Sequence, residues 1–117
     1  MGLTYVTGTV KSKRKRSEAL EFLVDSGAVY TLLPEDTWRK LGLRRKRTMG
    51  FVLADGTKIE RDISECVIEL PQGEATTPVI LGEKGDEALL GAVTLEILGL
   101  VLNPFNRTLL PMRLLMA

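Results

Sequence analysis

The sequence contains no histidine. That excludes Ser-His-Asp and Cys-His catalysis, in which an imidazole takes the nucleophile's proton, and it argues against a zinc enzyme. Hydrolytic chemistry must then come from carboxylates, lysines, hydroxyls or the single thiol. That thiol, Cys66, has no second cysteine to pair with, so no internal disulfide frames the fold and a reducing interior is its easier home. Without a histidine to activate it, Cys66 reads as a core-facing strand residue and not as a nucleophile. Aromatic residues make up 5% of the chain, and none interleave with its basic runs in the way that single-strand nucleic-acid binders use. No apolar run reaches the ~18–20 residues that span a bilayer. The first residues, Met1-Gly2-Leu3-Thr4-Tyr5, lack the charged head and apolar block of a secretory signal. The expectation is a cytoplasmic protein with no membrane partner.

What is present fits one ordinary domain over residues 1–117. Hydrophobic residues account for 44% and charged residues for 26%, with a net charge of +1. The molecule as a whole therefore has no strong electrostatic bias toward nucleic acid or acidic membranes. Thr4 to Val10 and Ala19 to Val24 read as strands of a hairpin whose tip is the basic run Lys11-Ser12-Lys13-Arg14-Lys15-Arg16. Val29 to Leu33 is a short apolar piece. Pro34-Glu35-Asp36 opens a helix through Leu41, with Gly42 as its stop. A second basic stretch, Arg44-Arg45-Lys46-Arg47, follows.

Met49 to Ala54 and Thr57 to Ile63 are strand-like, with Asp55-Gly56 as a two-residue hairpin signal. Glu65 to Leu70 alternates, placing Cys66, Ile68 and Leu70 on one face. Thr76 to Leu81 is a strand whose Pro78 suits an edge or an irregular start. Ala88-Leu89-Leu90 leads to Gly91, then a short helix from Ala92 to Leu98 ended by Gly99, a strand from Leu100 to Leu102, and a final extended segment from Thr108 to Leu115. Many short strands with two short helices predict an all-β domain.

The chemistry centres on Asp25-Ser26-Gly27. Phe22-Leu23-Val24 should be buried, so Asp25 emerges at the edge of a core. Gly27 lets the backbone fold sharply and lets another chain approach. Ser26 supplies a hydroxyl to brace the turn. A carboxyl held in such a partly dry setting can have its protonation tuned.

Phe22-Leu23-Val24-Asp25-Ser26-Gly27-Ala28 resembles the active-site loop of aspartic proteases, and Leu89-Leu90-Gly91 resembles the apolar-apolar-Gly segment of the retropepsin-like (retroviral-type) members. Leu53-Ala54-Asp55-Gly56-Thr57 stands where that family carries its flap. The helix from Pro34 to Leu41 and the run from Leu95 to Pro104 are similar to bacterial and archaeal members. The resemblance implies a closed retropepsin-like β-barrel or sandwich with a flap hairpin. It also implies a homodimeric endopeptidase with Asp25 from each copy as the catalytic group, acting on polypeptide without metal or cofactor.

Two such carboxylates share one proton. The ionised one activates water and the protonated one polarises the scissile carbonyl. The family pattern implies that Ser26 interlocks the two loops and that Gly27 and Ala28 line the groove. It further implies that Leu23 and Leu89 form side-chain pockets, and that Leu53, Ala54, Asp55 and Gly56 close over the peptide. Only one Asp-Ser-Gly occurs in a chain half the size of a two-lobed enzyme, so the second Asp25 must come from a second copy. Two departures stand out. Viral members have an arginine that anchors the dimer where this chain has Ala92, leaving residues 107–117 as the expected cross-subunit pairing. The flap also lacks the viral glycine-rich tip.

The main alternative is a catalytically silent domain of the same fold that binds peptides or mediates dimer assembly, since fold does not dictate function. Nucleic-acid binding through the basic runs is the weakest reading, because such runs are most often solvated turns.

Overall fold

The computed structural model describes residues 2–112. Strands β1 (Tyr5–Lys11) and β2 (Ser17–Val24) form the expected hairpin, in register from Tyr5 opposite Leu23 to Lys11 opposite Ser17. β2 runs parallel to β7 (Leu89–Leu90), which lies antiparallel to β3 (Thr31–Leu33). β3 is parallel to β6 (Gly73–Leu81), and β6 is antiparallel to β5 (Lys58–Leu70). β5 then returns to β1 through the pairs Thr9–Glu69, Val10–Ile68 and Lys11–Val67. The circuit is closed, so the barrel expected from the sequence is present and these six strands leave no long open edge. β4 (Arg47–Val52) pairs only with β5 and projects with its first half as a hairpin arm.

The interior is filled by inward side chains of these strands. Val10, Phe22, Leu33, Ile68, Val79 and Leu90 are fully buried. Each such side chain contributes roughly 1.5–3 kcal/mol relative to leaving it in water. Cys66, Ile68 and Leu70 point inward as the alternation requires. Burial pushes the Cys66 thiol up to about 12, because the thiolate would lose its hydration. Cys66 in the folded protein should therefore resist alkylation at pH 8 and react within minutes once denaturant is added. Rapid labelling of the native protein would contradict this placement.

Several boundaries differ from the sequence expectation. The segments 57–63 and 65–70 are one thirteen-residue strand, β5. Its alternation slips at Ile63 and Ser64, which are both buried where β5 passes from the arm into the barrel. The Ser64 hydroxyl is satisfied there by the Arg44 carbonyl at 2.7 Å. The arm's turn is also not the two-residue turn that Asp55-Gly56 suggested. Gly56 N–H donates to the Leu53 carbonyl (2.9 Å), so Ala54 and Asp55 are the central residues, and Gly56 follows in the left-handed region at φ 86°. This is a three-residue hairpin loop with a glycine bulge.

Pro78 is paired with Glu65 of β5, while the β3 ladder on its other side starts only at Val79. The missing N–H thus falls where β6 has no second strand to pair with. Helix α1 (Glu35–Leu41) starts one residue later than expected, with Pro34 as its cap, and stops at left-handed Gly42. Trp38 Nε1 ties it to the Gly82 carbonyl at 2.8 Å. Helix α2 (Ala92–Ile97) is followed by a hairpin of β8 (Leu100–Asn103) and β9 (Thr108–Pro111). The described part of the segment assigned to cross-subunit pairing is therefore already paired with β8 inside the chain, and residues 113–117 lie outside the described residues. Among the described residues, no helix is long and apolar enough to cross a membrane.

Candidate active site

Asp25 is the first residue beyond β2. Its position follows from that strand: Phe22 and Val24 are drawn into the core, so the chain leaves the barrel at Asp25, half-buried, with Ser26 and Gly27 exposed. The Asp25 N–H donates to the Leu90 carbonyl (3.0 Å), and Ala28 N–H donates to the Asp25 carbonyl (3.1 Å). The carboxylate Oδ1 accepts the Gly27 N–H at 3.0 Å. The turn therefore aims the carboxylate by its own backbone.

The Leu89-Leu90-Gly91 segment is what holds this loop. At the start of α2, Ala92 N–H donates to the Ala28 carbonyl (2.8 Å) and Val93 N–H to the Val29 carbonyl (2.9 Å). Gly91 N–H donates to the Thr31 hydroxyl at 3.0 Å. That hydroxyl is 2.6 Å from the Thr94 hydroxyl, which is 2.8 Å from Thr77. All three threonines are buried, so this chain satisfies hydroxyls that would each be costly to strand. Gly91 is required by space and not by backbone conformation. Its φ is −94°, but a Cβ there would lie 2.5 Å from the Tyr30 carbonyl carbon.

Beside the loop lies a groove of about 390 Å³. Gly27 and Ala28 form one side, Leu53 and Ala54 of the hairpin arm another, and Leu89 part of the floor. These five candidates are brought together. Three others are not. Leu23 lies next to Leu89 in the ladder but opens on a separate depression with Tyr5, Leu20 and Pro34. Asp55 and Gly56 are exposed at the arm's tip, away from the groove lining. Hydrogen bonding from Thr57, first through its hydroxyl and then through its N–H, holds the Asp55 carboxyl below its usual range. That is the behaviour of a turn-bracing carboxylate.

The structure adds groove residues that sequence reasoning missed: Val29, Tyr30, Leu32, Phe51, Val52, Arg61 and Ile80. Tyr30 and Phe51 meet edge to face, with ring centroids 6.2 Å apart. Such a pair contributes about 0.5–1.5 kcal/mol beyond its area, and here it ties the arm to the loop. Val29 is 58% exposed, Val52 69% and Leu53 44%. Apolar groups left in water on both walls are ready to bury against an extended ligand. Arg61 is the one cation on the lining, and it pairs with Glu83 at 3.0 Å. The signal for Val29 and Val52 was their apolar character next to turns. Nothing local in the sequence marked Arg61.

On the other side of Ser26 is an apolar recess of about 410 Å³, bounded by Ala92, Leu95, Leu100, Val101 and Met112 among others. The loop that carries Asp25 thus borders a groove through Gly27 and a recess through Ser26.

Comparison with known proteins follows the same line. The family model described as gag-polyprotein putative aspartyl protease matches residues 14–96. Among solved structures, the chain is similar to the simian foamy virus (mac) protease. The TM-score is 0.58 at 20% identity, over 81% of this chain and 94% of that one. It is similar to the EIAV protease in complex with the inhibitor HBY-793, with a TM-score of 0.62 at 19% identity, over 84% and 89%. It is also similar to a retropepsin-like aspartic protease from Rickettsia conorii, with a TM-score of 0.52 at 18% identity, over 82% and 84%. No curated protein matches the chain in sequence. The fold is retropepsin-like.

Proposed function

The chain belongs to the gag-polyprotein aspartyl protease family, and on that footing we propose that it is a homodimeric aspartic endopeptidase of polypeptides. The observation that carries this reading is the half-buried Asp25 carboxylate, which accepts the Gly27 N–H while the Asp25 backbone N–H donates to the Leu90 carbonyl, on a loop whose Gly27 and Ala28 line an apolar groove. In the dimer, two Asp25 carboxylates share one proton, because like charges in hydrogen-bonding range cannot both ionise easily. The ionised partner takes a proton from water while the protonated one polarises the peptide carbonyl. The attack is direct, with no covalent intermediate. The groove walls hold the peptide extended, and the β4–β5 arm excludes solvent.

Ser26 is exposed next to the recess that begins at Ala92. No long side chain at position 92 fills that recess, so it offers apolar surface to a second copy where an arginine anchor would otherwise stand. A cytoplasmic, reducing setting suits a chain whose one thiol is buried.

The test is concentration. Light scattering at working concentration should give twice the 12.9 kDa chain mass. Cleavage of unfolded casein per mole of chain should fall as the protein is diluted below its dimer dissociation constant. A monomer that cleaves at undiminished specific activity would remove the shared-dyad mechanism.

A further inference from the structure

The two basic runs lie 28 residues apart in sequence, if Arg16 and Arg44 are taken as their facing ends, yet the fold brings them to one face. The tip of the β1–β2 hairpin leans on the end of α1. Arg16 Nη1 donates to the Lys40 carbonyl at 3.2 Å, and both Arg16 and Arg14 lie within 4 Å of where a side chain on Gly42 would begin. A shallow recess of about 170 Å³ is lined by Lys13 and Arg14 from the first run and by Arg44, Arg45 and Lys46 from the second. The Ser12 hydroxyl, also on its lining, is buried without a hydrogen-bond partner among the described residues.

The first run carries five cations and the second four. Lys11 pairs with Glu69 at 3.4 Å and with Glu74 at 3.3 Å. Arg45 pairs with Asp62 at 4.0 Å and Lys46 with Glu65 at 3.7 Å. The other six have no carboxylate partner among the described residues. On a chain with net charge +1, nine of its sixteen lysines and arginines gathered on one face make the molecule strongly polarised. Gathering like charges on packed turns costs stability through repulsion, and a polyanion relieves it.

We infer that this two-loop basic face binds the phosphate backbone of duplex nucleic acid without reading its sequence. Charge density favours that partner. Duplex DNA carries about one charge per 1.7 Å of axis, whereas an extended acidic peptide carries at most one per ~3.3 Å. Five of the nine cations are arginines, whose forked donors match phosphate oxygens. No aromatic side chain lines the recess, so there is no platform for unpaired bases. None of the exposed large hydrophobics falls in either run, so nothing there inserts into a lipid surface. The face stands at the opposite end of β2 from Asp25, about 26 Å away for eight strand residues. It is therefore separate from the groove and does not depend on the peptidase reading.

The experiment uses the full chain and a fluorescein-labelled 20-base-pair duplex of arbitrary sequence, read by anisotropy. Binding is expected near ~1 μM in 50 mM NaCl, weakening about 10²–10³-fold by 200 mM if four to six phosphates are contacted. A scrambled duplex should bind equally, and Asp25→Asn should bind as the parent does. Lys13→Gln with Arg14→Gln should weaken binding at least tenfold, and so should Arg44→Gln with Arg45→Gln and Arg47→Gln. Lys58→Gln with Lys84→Gln should not. Thermal melting of each variant shows that it is folded; if one set fails to fold, the other decides. No duplex binding at 50 mM NaCl, a salt-independent affinity, or dependence on one run alone overturns the inference. Tighter binding to poly-glutamate or to phosphatidylserine vesicles than to duplex overturns it in favour of an acidic protein or a membrane.

Discussion

Asp25→Asn is expected to abolish peptide cleavage while leaving the fold and the dimer mass unchanged. The amide oxygen of asparagine can still accept the Gly27 N–H that Asp25 Oδ1 now accepts at 3.0 Å, and the Asp25 backbone bonds to Leu90 and Ala28 involve no side chain. What is lost is the ability to hold and release a proton. General acid–base catalysis by one positioned group contributes about 10²–10⁴-fold, and in the homodimer one substitution removes both members of the pair. Activity on unfolded casein should therefore drop at least ~10³-fold, below ordinary detection. Light scattering and thermal melting should match the parent. Cleavage that survives the substitution would sink the dyad mechanism. A parent chain that forms the dimer yet never cleaves, at any pH from 3 to 8, would point to the silent peptide-binding alternative.

Gly91→Ala should be nearly as damaging, for a different reason. The added methyl would meet three backbone atoms of Tyr30 and Thr31 at 2.5–2.8 Å. Backbone cannot swing aside as the end of a flexible side chain can. Either the 28–31 stretch or the start of α2 must move, and the bonds between them are what hold the loop: Ala92 to Ala28, Val93 to Val29 and Gly91 to Thr31. Overpacking of this kind costs typically 1–3 kcal/mol, occasionally more, and the strained backbone bonds add to it. A loss of about 3 kcal/mol is expected, a large part of the 5–15 kcal/mol that stabilises a domain. For a chain of this length that lowers Tm by roughly 10–15 °C. Cleavage should fall even at temperatures where the variant is folded, because a displaced loop no longer aims Asp25. Gly50→Ala is the control. A side chain there meets nothing within 4 Å, and Tm should stay within a few degrees. If Gly91→Ala melts like the parent, the close packing of loop on helix is not what holds the site.

How far the sequence could be read depended on whether a feature is local. The hairpin of β1 and β2, helix α1 with its acidic first turn, basic last turn and Gly42 stop, and the inward face of Cys66, Ile68 and Leu70 all follow from spacing within one segment. The splitting of β5 into two strands was an error of the same locality. Its alternation slips at Ile63 and Ser64 because two different partners, the arm and the barrel, compete for it. The arm's turn was misplaced by one residue because Asp55-Gly56 serves a bulged three-residue loop as well as a two-residue one.

The site divides along the same line. Asp25-Ser26-Gly27 and Leu89-Leu90-Gly91 were visible as motifs, because a carboxylate on a glycine turn after an apolar strand is a local pattern. Their dependence on each other was not visible. Sixty-three residues separate Thr31 from Thr94, and only closure of the barrel puts their hydroxyls in contact. The same closure moves Leu23 away from the groove, brings in Phe51, Arg61 and Ile80 from distant strands, and gathers the two basic runs on the opposite end.

By itself, the sequence determined which chemistry was available: no imidazole, no thiol pair, and one Asp-Ser-Gly triplet. Those are matters of composition and short spacing, and no folding can alter them. The tertiary structure alone decided what stands beside that triplet. Long-range strand pairing sets the distances between residues far apart in sequence, and side-chain periodicity carries no record of them.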